Sequence, residues 1–167
     1  MYGRRARTSI AGAGGDPDAA LAAAIALLAR RDLSSDELRG KLRAKAFDEA
    51  TAAAVVADLT DRGVVNDARY AGNYVAYHSG RGRGPVRIAA ELRRRGLAAA
   101  VVEAALASGP DWSALARQAC RAKFGASPPQ SWAQKARQAR FLQYRGFSSD
   151  HIRAATGADP DTGFTDL

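Results

Sequence analysis

Leu42-Arg43-Ala44-Lys45-Ala46-Phe47 recurs as Leu92-Arg93-Arg94-Arg95-Gly96-Leu97, and again as Leu142-Gln143-Tyr144-Arg145-Gly146-Phe147. The offset is 50 residues both times. Each copy is a leucine, a run carrying basic residues, a small residue and then a large apolar residue. Gly96 and Gly146 stand where a left-handed residue closes a helix. Arg93, Arg94, Arg95 and Arg145 lie in the last turn, where cations favour the helix dipole. Ala46 takes the place of the glycine in the first copy, so that turn is expected to be built differently or to carry strain. Self-similarity at a fixed long period is the mark of a repeat protein.

Helix starts agree with this period. Asp16-Pro17 is a cap followed by proline at the first helical position, opening a helix to about residue 31. Ser34 and Glu37 form a capping box for a helix to about residue 45. Asp48 opens a third, closed by Gly63 after Arg62. Asp67 is expected to cap 68–79, Pro85 to start a helix to Arg95, and 98–107 to follow. Asp111 caps 112–124, Ser127-Pro128-Pro129 breaks the chain, 131–145 is helical, and Ser148 caps 149–156. No segment alternates with the two-residue period of a strand. The expected fold is all-α: three tandem three-helix repeats forming an elongated array that can curve, with repeats at 16–66, 67–110 and 111–156. Stacked units share a nearly continuous core.

The chain has 167 residues, of which 39 are alanine, and only five Phe, five Tyr and two Trp serve as large anchors. Alanine has the best helix propensity and is depleted in strands, so short helices packed closely over small side chains are expected. The longest uncharged apolar stretch, 21–29, is about half a membrane span. Residues 1–15 are basic and lack the apolar region of a signal peptide. They read as a disordered arm, and 157–167, with three aspartates, as a disordered acidic tail. A cytoplasmic monomer is expected. Cys120 is the one cysteine, so no disulfide forms within the chain. It sits in a helical run with no catalytic His or Asp motif beside it and reads as a small core residue. His78 and His151 have no metal-ligand spacing with it. No cofactor is expected, and no catalytic residue.

The formal charge of +8 is unevenly spread. Residues 16–66 hold nine acids and seven bases, 67–110 three acids and seven bases, and 111–156 two acids and eight bases. The second and third repeats therefore carry +10 together, while the first is near neutral. That pattern suits a long basic surface facing nucleic acid or a nucleoprotein. A solvated arginine-rich face is the plainer alternative for any single residue.

Within 131–145, Trp132, Ala136, Ala139 and Leu142 form one stripe at 100° per residue. Arg137, Arg140, Phe141, Tyr144 and Arg145 fall on the other side. Arginines interleaved with aromatics can neutralise phosphates and stack on bases; alternatively Phe141 packs against a neighbouring repeat. Gly82-Arg83-Gly84-Pro85-Val86-Arg87 places two glycines at a helix N-terminus, which suits an anion. It lacks the Gly-Lys-Ser/Thr end of a phosphate-binding loop, and no strand precedes it. His78, near a helix end, reads as a surface residue compatible with the dipole. The candidate partner- or DNA-contacting residues are Arg83, Arg87, Arg93, Arg94, Arg95, Lys135, Arg137, Arg140, Tyr144 and Arg145.

Motifs from each of the three repeats, in order, carry a family resemblance. The run Leu38…Leu42…Phe47 resembles the first repeat of the RecX regulatory proteins. Asn66-Asp67-Ala68-Arg69-Tyr70-Ala71 is similar to that family's Asp-Asp-x-Arg-Phe-Ala element. Gly84-Pro85-x-Arg87-Ile88-x-x-Glu91-Leu92-x-x-x-Gly96 resembles its second-repeat signature. Lys135-Ala136-Arg137 with Arg140-Phe141-Leu142-x-x-Arg145-Gly146-Phe147 resembles its third. The departures are Asn66, Ala46, and Ala98 where a helix cap is usual. The resemblance implies tandem three-helix repeats, no enzymatic activity and no cofactor. It also implies binding to the RecA recombinase filament and suppression of its ATPase, strand exchange and co-protease activity, in the control of recombination, DNA repair and the SOS response. Single- or double-stranded DNA is a further expected contact. A DNA-binding helical module acting without RecA is the alternative.

Overall fold

The computed structural model describes residues 14–158. Apart from Gly14, Gly15, Gly157 and Ala158, the arm expected at 1–15 and the tail expected at 157–167 lie outside the described residues. Among the described residues there are nine helices and no strand: α1 Pro17–Leu28, α2 Ser35–Ala44, α3 Glu49–Asp61, α4 Asp67–Ser79, α5 Pro85–Arg94, α6 Ala99–Ala107, α7 Trp112–Phe124, α8 Trp132–Arg145 and α9 Ser149–Thr156. None is long and apolar enough to cross a membrane.

The caps form where the sequence places them. Asp16 accepts from the Asp18 and Ala19 amides with Pro17 at the first position. Ser34 and Glu37 make a complete capping box. Asp48 accepts from the Thr51 amide, Asp111 from Ala114, and Ser148 from His151. Each such bond satisfies an orphan donor and contributes about 1 kcal/mol. Asp67 departs from expectation. It is the first residue of α4 rather than a cap, and its carboxylate accepts from the Ser35 amide at 2.8 Å and the Ser35 hydroxyl at 2.6 Å. α1 stops at Leu28 instead of continuing to Arg31, because the Arg30 amide turns back to the Leu27 carbonyl and tightens the last turn.

The chain divides into two compact units, residues 1–67 and 68–167. In the first unit, α1 to α3 enclose a cluster that includes Ala20, Ala24, Leu38, Leu42, Leu59 and Val65. The second unit contains two clusters. One gathers Tyr70, Val75, Ile88, Leu92, Leu97 and Val102; the other gathers Ala116, Cys120, Leu142, Phe147 and Ile152. The repeat explains this pattern. Leu42, Leu92 and Leu142, the same position in three copies, are each 0% exposed at the centre of their clusters. Burying each stabilises by about 1.5–3 kcal/mol. Alanines fill the remaining core positions and bring the helices close.

The helix-closing residues adopt the left-handed backbone: φ is 79° at Gly96 and 89° at Gly146. Ala46 adopts it too, at φ 70°, and is the one described non-glycine residue with positive φ. The first copy therefore builds the same turn as the others and carries the strain of its Cβ, about 1–2 kcal/mol.

Candidate functional site

Two groups of basic and aromatic side chains lie within the second unit. The first is organised by Glu91, four residues after Arg87 on α5. Its side chain is only 12% exposed. The Tyr74 hydroxyl donates to it at 2.7 Å, Arg83 at 2.9 Å and Arg87 through Nε at 3.1 Å. Burial alone would raise the Glu91 pKa. The hydrogen bonds from Tyr74 and Arg87 and the charges of Arg83 and Arg87 outweigh it and bring the carboxyl down to about 2. Arg95 donates to the Tyr70 hydroxyl at 3.1 Å and lies 5.0 Å over the Tyr74 ring. Arg83, Arg87 and Arg95 are thus held inside the fold, whereas Arg93 and Arg94 are exposed at the end of α5.

The glycine loop is corrected in its chemistry. The Gly84 amide donates to the Arg145 carbonyl at 2.8 Å and the Val86 amide to the Gly146 carbonyl at 3.0 Å. The Gly82 and Arg83 amides turn back to Ser79 and His78. The donors expected to hold an anion at the start of α5 are consumed by the end of α8, one helix terminus satisfying another. His78 is also corrected. It is half-buried, tilted against the Tyr74 ring with centroids 4.1 Å apart and edge-on to Tyr77 at 4.9 Å, and its Nδ1 has no hydrogen-bond partner among the described residues. Burial first, then the Arg83 charge, push its pKa below the usual value, so it is not a surface cation.

The second group lies on α8. Phe141 meets Phe124 of α7 edge-on at 5.4 Å, so it packs within its own repeat. The Arg145 guanidinium lies 5.4 Å over the Phe141 ring and reaches the Arg81 carbonyl at 3.4 Å. Arg137 lies 5.5 Å over the Phe124 ring. Arg140 is exposed, Lys135 half-buried, and Tyr144 is 79% exposed. Trp132 does not join Ala139 and Leu142 in the core; it is 63% exposed, because the first turn of α8 extends past the third cluster. Cys120 is buried, and burial pushes its thiol up to about 11, which makes it a poor nucleophile.

The structure therefore sorts the candidates by exposure. Arg93, Arg94, Arg137, Arg140 and Tyr144 are exposed, Arg137 against the Phe124 ring; Arg83, Arg87, Arg95 and Arg145 are partly buried and held by contacts within the fold. Sequence reasoning missed Glu91 as an organising residue, although its i,i+4 spacing from Arg87 was a usable signal. It also missed Arg81, which stacks 4.2 Å over the exposed Tyr77 ring, again at i,i+4.

Family models described as the first, second and third three-helix domains of RecX match residues 20–59, 66–106 and 111–156. A "Regulatory protein RecX" from Stenotrophomonas maltophilia (strain R551-3) is 42% identical over 139 residues, 83% of this chain and 85% of that protein. Another so named, from Halorhodospira halophila (strain DSM 244 / SL1), is 41% identical over 87% of this chain and 91% of its own length. The crystal structure of RecX from Lactobacillus salivarius superposes with a TM-score of 0.73 at 22% identity, covering 83% of this chain and 93% of that one. That likeness supports the fold of three tandem three-helix domains.

Proposed function

The chain belongs to the RecX family of regulatory proteins, and on that premise we propose that it is a negative regulator of RecA nucleoprotein filaments, lowering RecA ATPase, strand exchange and co-protease activity. The observation that carries this reading is the ordered match of all three family domains along residues 20–156. The charge distribution supports it: the two basic repeats present Arg93, Arg94, Arg137 and Arg140 to solvent, as a partner coated in phosphates requires. The protein acts by binding, without turnover or cofactor, and works in the cytoplasm alongside RecA.

The test is RecA ATPase on single-stranded DNA with the protein added below RecA stoichiometry. Falling turnover and strand exchange are expected; unchanged rates at saturating protein would sink the reading. The exposed Tyr144 favours a second reading, a DNA-binding module that acts without RecA. It requires salt-steep binding to free DNA, and binding seen only with RecA present removes it.

A further inference from the structure

A groove lies between the turn that follows α4 and helices α7 and α8, within the second unit. Leu115, Ala119 and Phe141 line its inner part, each half-buried against the third core cluster. Arg81 and Lys123 stand exposed at its mouth beside half-buried Arg145, and no carboxylate lines it. None of these three bases pairs with a carboxylate among the described residues. The amides of the turn are spent: Gly80 donates to the Ala76 carbonyl, Arg81 to His78 and Gly82 to Ser79. Recognition of charge therefore falls to the three side chains. Apolar surface rimmed by charge of one sign marks a binding site.

The chemistry of the walls selects the class of occupant. Arg81 lies 4.2 Å over the Tyr77 ring and Arg145 5.4 Å over the Phe141 ring. Stacking engages the flat face of a guanidinium and leaves its N–H fork for carboxylates. A nucleobase would bind by stacking, but Phe141, the one aromatic residue of the lining, already holds the Phe124 edge and the Arg145 guanidinium. What remains inside is aliphatic, which fits an apolar side chain. The cavity of about 300 Å³ is at the small end of ligand pockets, room for one anchor. Leu115, Ala119 and Lys123 follow one another at four-residue steps on one face of α7, about 6 Å per step. At about 3.3 Å per residue of extended chain, a carboxylate two to four positions from an anchor at Ala119 or Leu115 reaches Lys123.

We propose that this groove docks an acidic peptide segment of a partner protein, one large apolar side chain entering between Leu115, Ala119 and Phe141 and flanking carboxylates meeting Arg81, Lys123 and Arg145. Capture of such a segment needs neither RecA nor DNA, so its failure and that of the regulator reading are distinguishable.

The probe is a short fluorescent peptide of aspartates and glutamates around one central phenylalanine, titrated with the full chain at low salt and read by anisotropy. Saturable binding is expected, weakening at high salt as screened ion pairs do. Exchanging the peptide's phenylalanine for alanine should cost about thirtyfold in affinity, as loss of a buried anchor does. Lys123→Glu should cost about five- to tenfold, and Ala122→Trp, which fills the groove from an exposed position, should abolish binding. Arg121→Glu makes the same charge change on the same helix outside the groove and should cost less than about twofold. Unchanged melting temperatures confirm that the variants fold. No binding at about millimolar peptide would overturn the proposal. So would equal affinity for the alanine peptide, or equal losses from Arg121→Glu and Lys123→Glu, which mark plain charge attraction. Oligo(dT) that displaces the peptide and is itself excluded by Ala122→Trp would mark a nucleotide groove, and a dimer that Ala122→Trp dissolves in sedimentation would mark a second copy; either overturns it.

Discussion

Gly84 and Gly146 lie back to back. The Gly84 amide donates to the carbonyl that precedes Gly146, the Val86 amide donates to the Gly146 carbonyl, and a Cβ on Gly84 would collide with the Gly146 carbonyl group. A Cβ on Gly146 would in turn collide with the Arg87 Cβ and approach its amide to 2.8 Å, at a φ of +89°. Sixty-two residues separate the two glycines, and they join the start of α5 to the end of α8 by backbone alone.

Alanine at either position is therefore expected to be costly. At Gly146, overpacking and left-handed strain combine to about 2–4 kcal/mol. Gly63 is the control: its φ is +70° but a Cβ there meets nothing within 4 Å. Gly63→Ala should cost about 1 kcal/mol. Urea unfolding of the three variants checks this; equal losses at Gly63 and Gly146 would show that the close approach contributes nothing.

Ala46→Gly should act in the opposite direction. It relieves a left-handed alanine, about 1–2 kcal/mol, against about 0.5–1 kcal/mol of extra glycine entropy. A net gain of up to about 1 kcal/mol, a rise of roughly 2–4 °C in Tm, is expected by calorimetry. A lowered Tm would contradict the strain assigned to this turn.

Glu91 titrates at about 2 in the fold against 4.5 ordinarily. A depressed carboxylate stabilises above its unfolded pKa and loses that contribution as pH falls from about 4.5 towards 2. Allowing for solvent screening at the mouth of the cleft, the contribution is about 1–2 kcal/mol. Glu91→Gln should cost that much at pH 7, and the gap between variant and parent should narrow below pH 4.5 and close only as the pH falls below about 2. A gap that stays constant with pH would remove the carboxylate's charge from the account.

The sorting of the arginines predicts two phenotypes. Arg93→Ala with Arg94→Ala, or Tyr144→Ala alone, should weaken filament or DNA binding and leave stability within about 0.5 kcal/mol. Arg83→Ala with Arg87→Ala should instead lower stability, because Glu91 loses its charged partners. Replacing Arg137, Arg140 and Arg145 together should weaken binding with helicity intact, at a small stability cost from Arg145. Parallel binding and melting measurements separate these; if affinity survives the triple substitution, this face of α8 is solvated surface.

Leu92→Ala and Leu142→Ala should each destabilise by about 2–5 kcal/mol, since both side chains are fully buried. Denaturant midpoints read this directly. Losses below 1 kcal/mol would mean that the repeat leucines are not central to their clusters.

Most helix limits and caps were legible in the chain because they are local, and the repeat because it recurs at a fixed offset; the end of α1 and the role of Asp67 were not. A capping serine or aspartate acts within three residues, a closing glycine on its own φ, and leucines 50 residues apart mark equivalent core positions before any helix packs. The excess of Arg and Lys over Asp and Glu in the second and third repeats was equally plain. What each arginine does was decided only by tertiary structure. Arg83 and Arg93 look alike in sequence, yet one is clamped by a largely covered carboxylate and the other faces water. Gly84 looked like an anion cradle until the end of α8 took its amide. Hydrogen-bond donors and charges are satisfied by whatever the fold brings within about 3 Å, and here the decisive partners lie as many as 64 residues away.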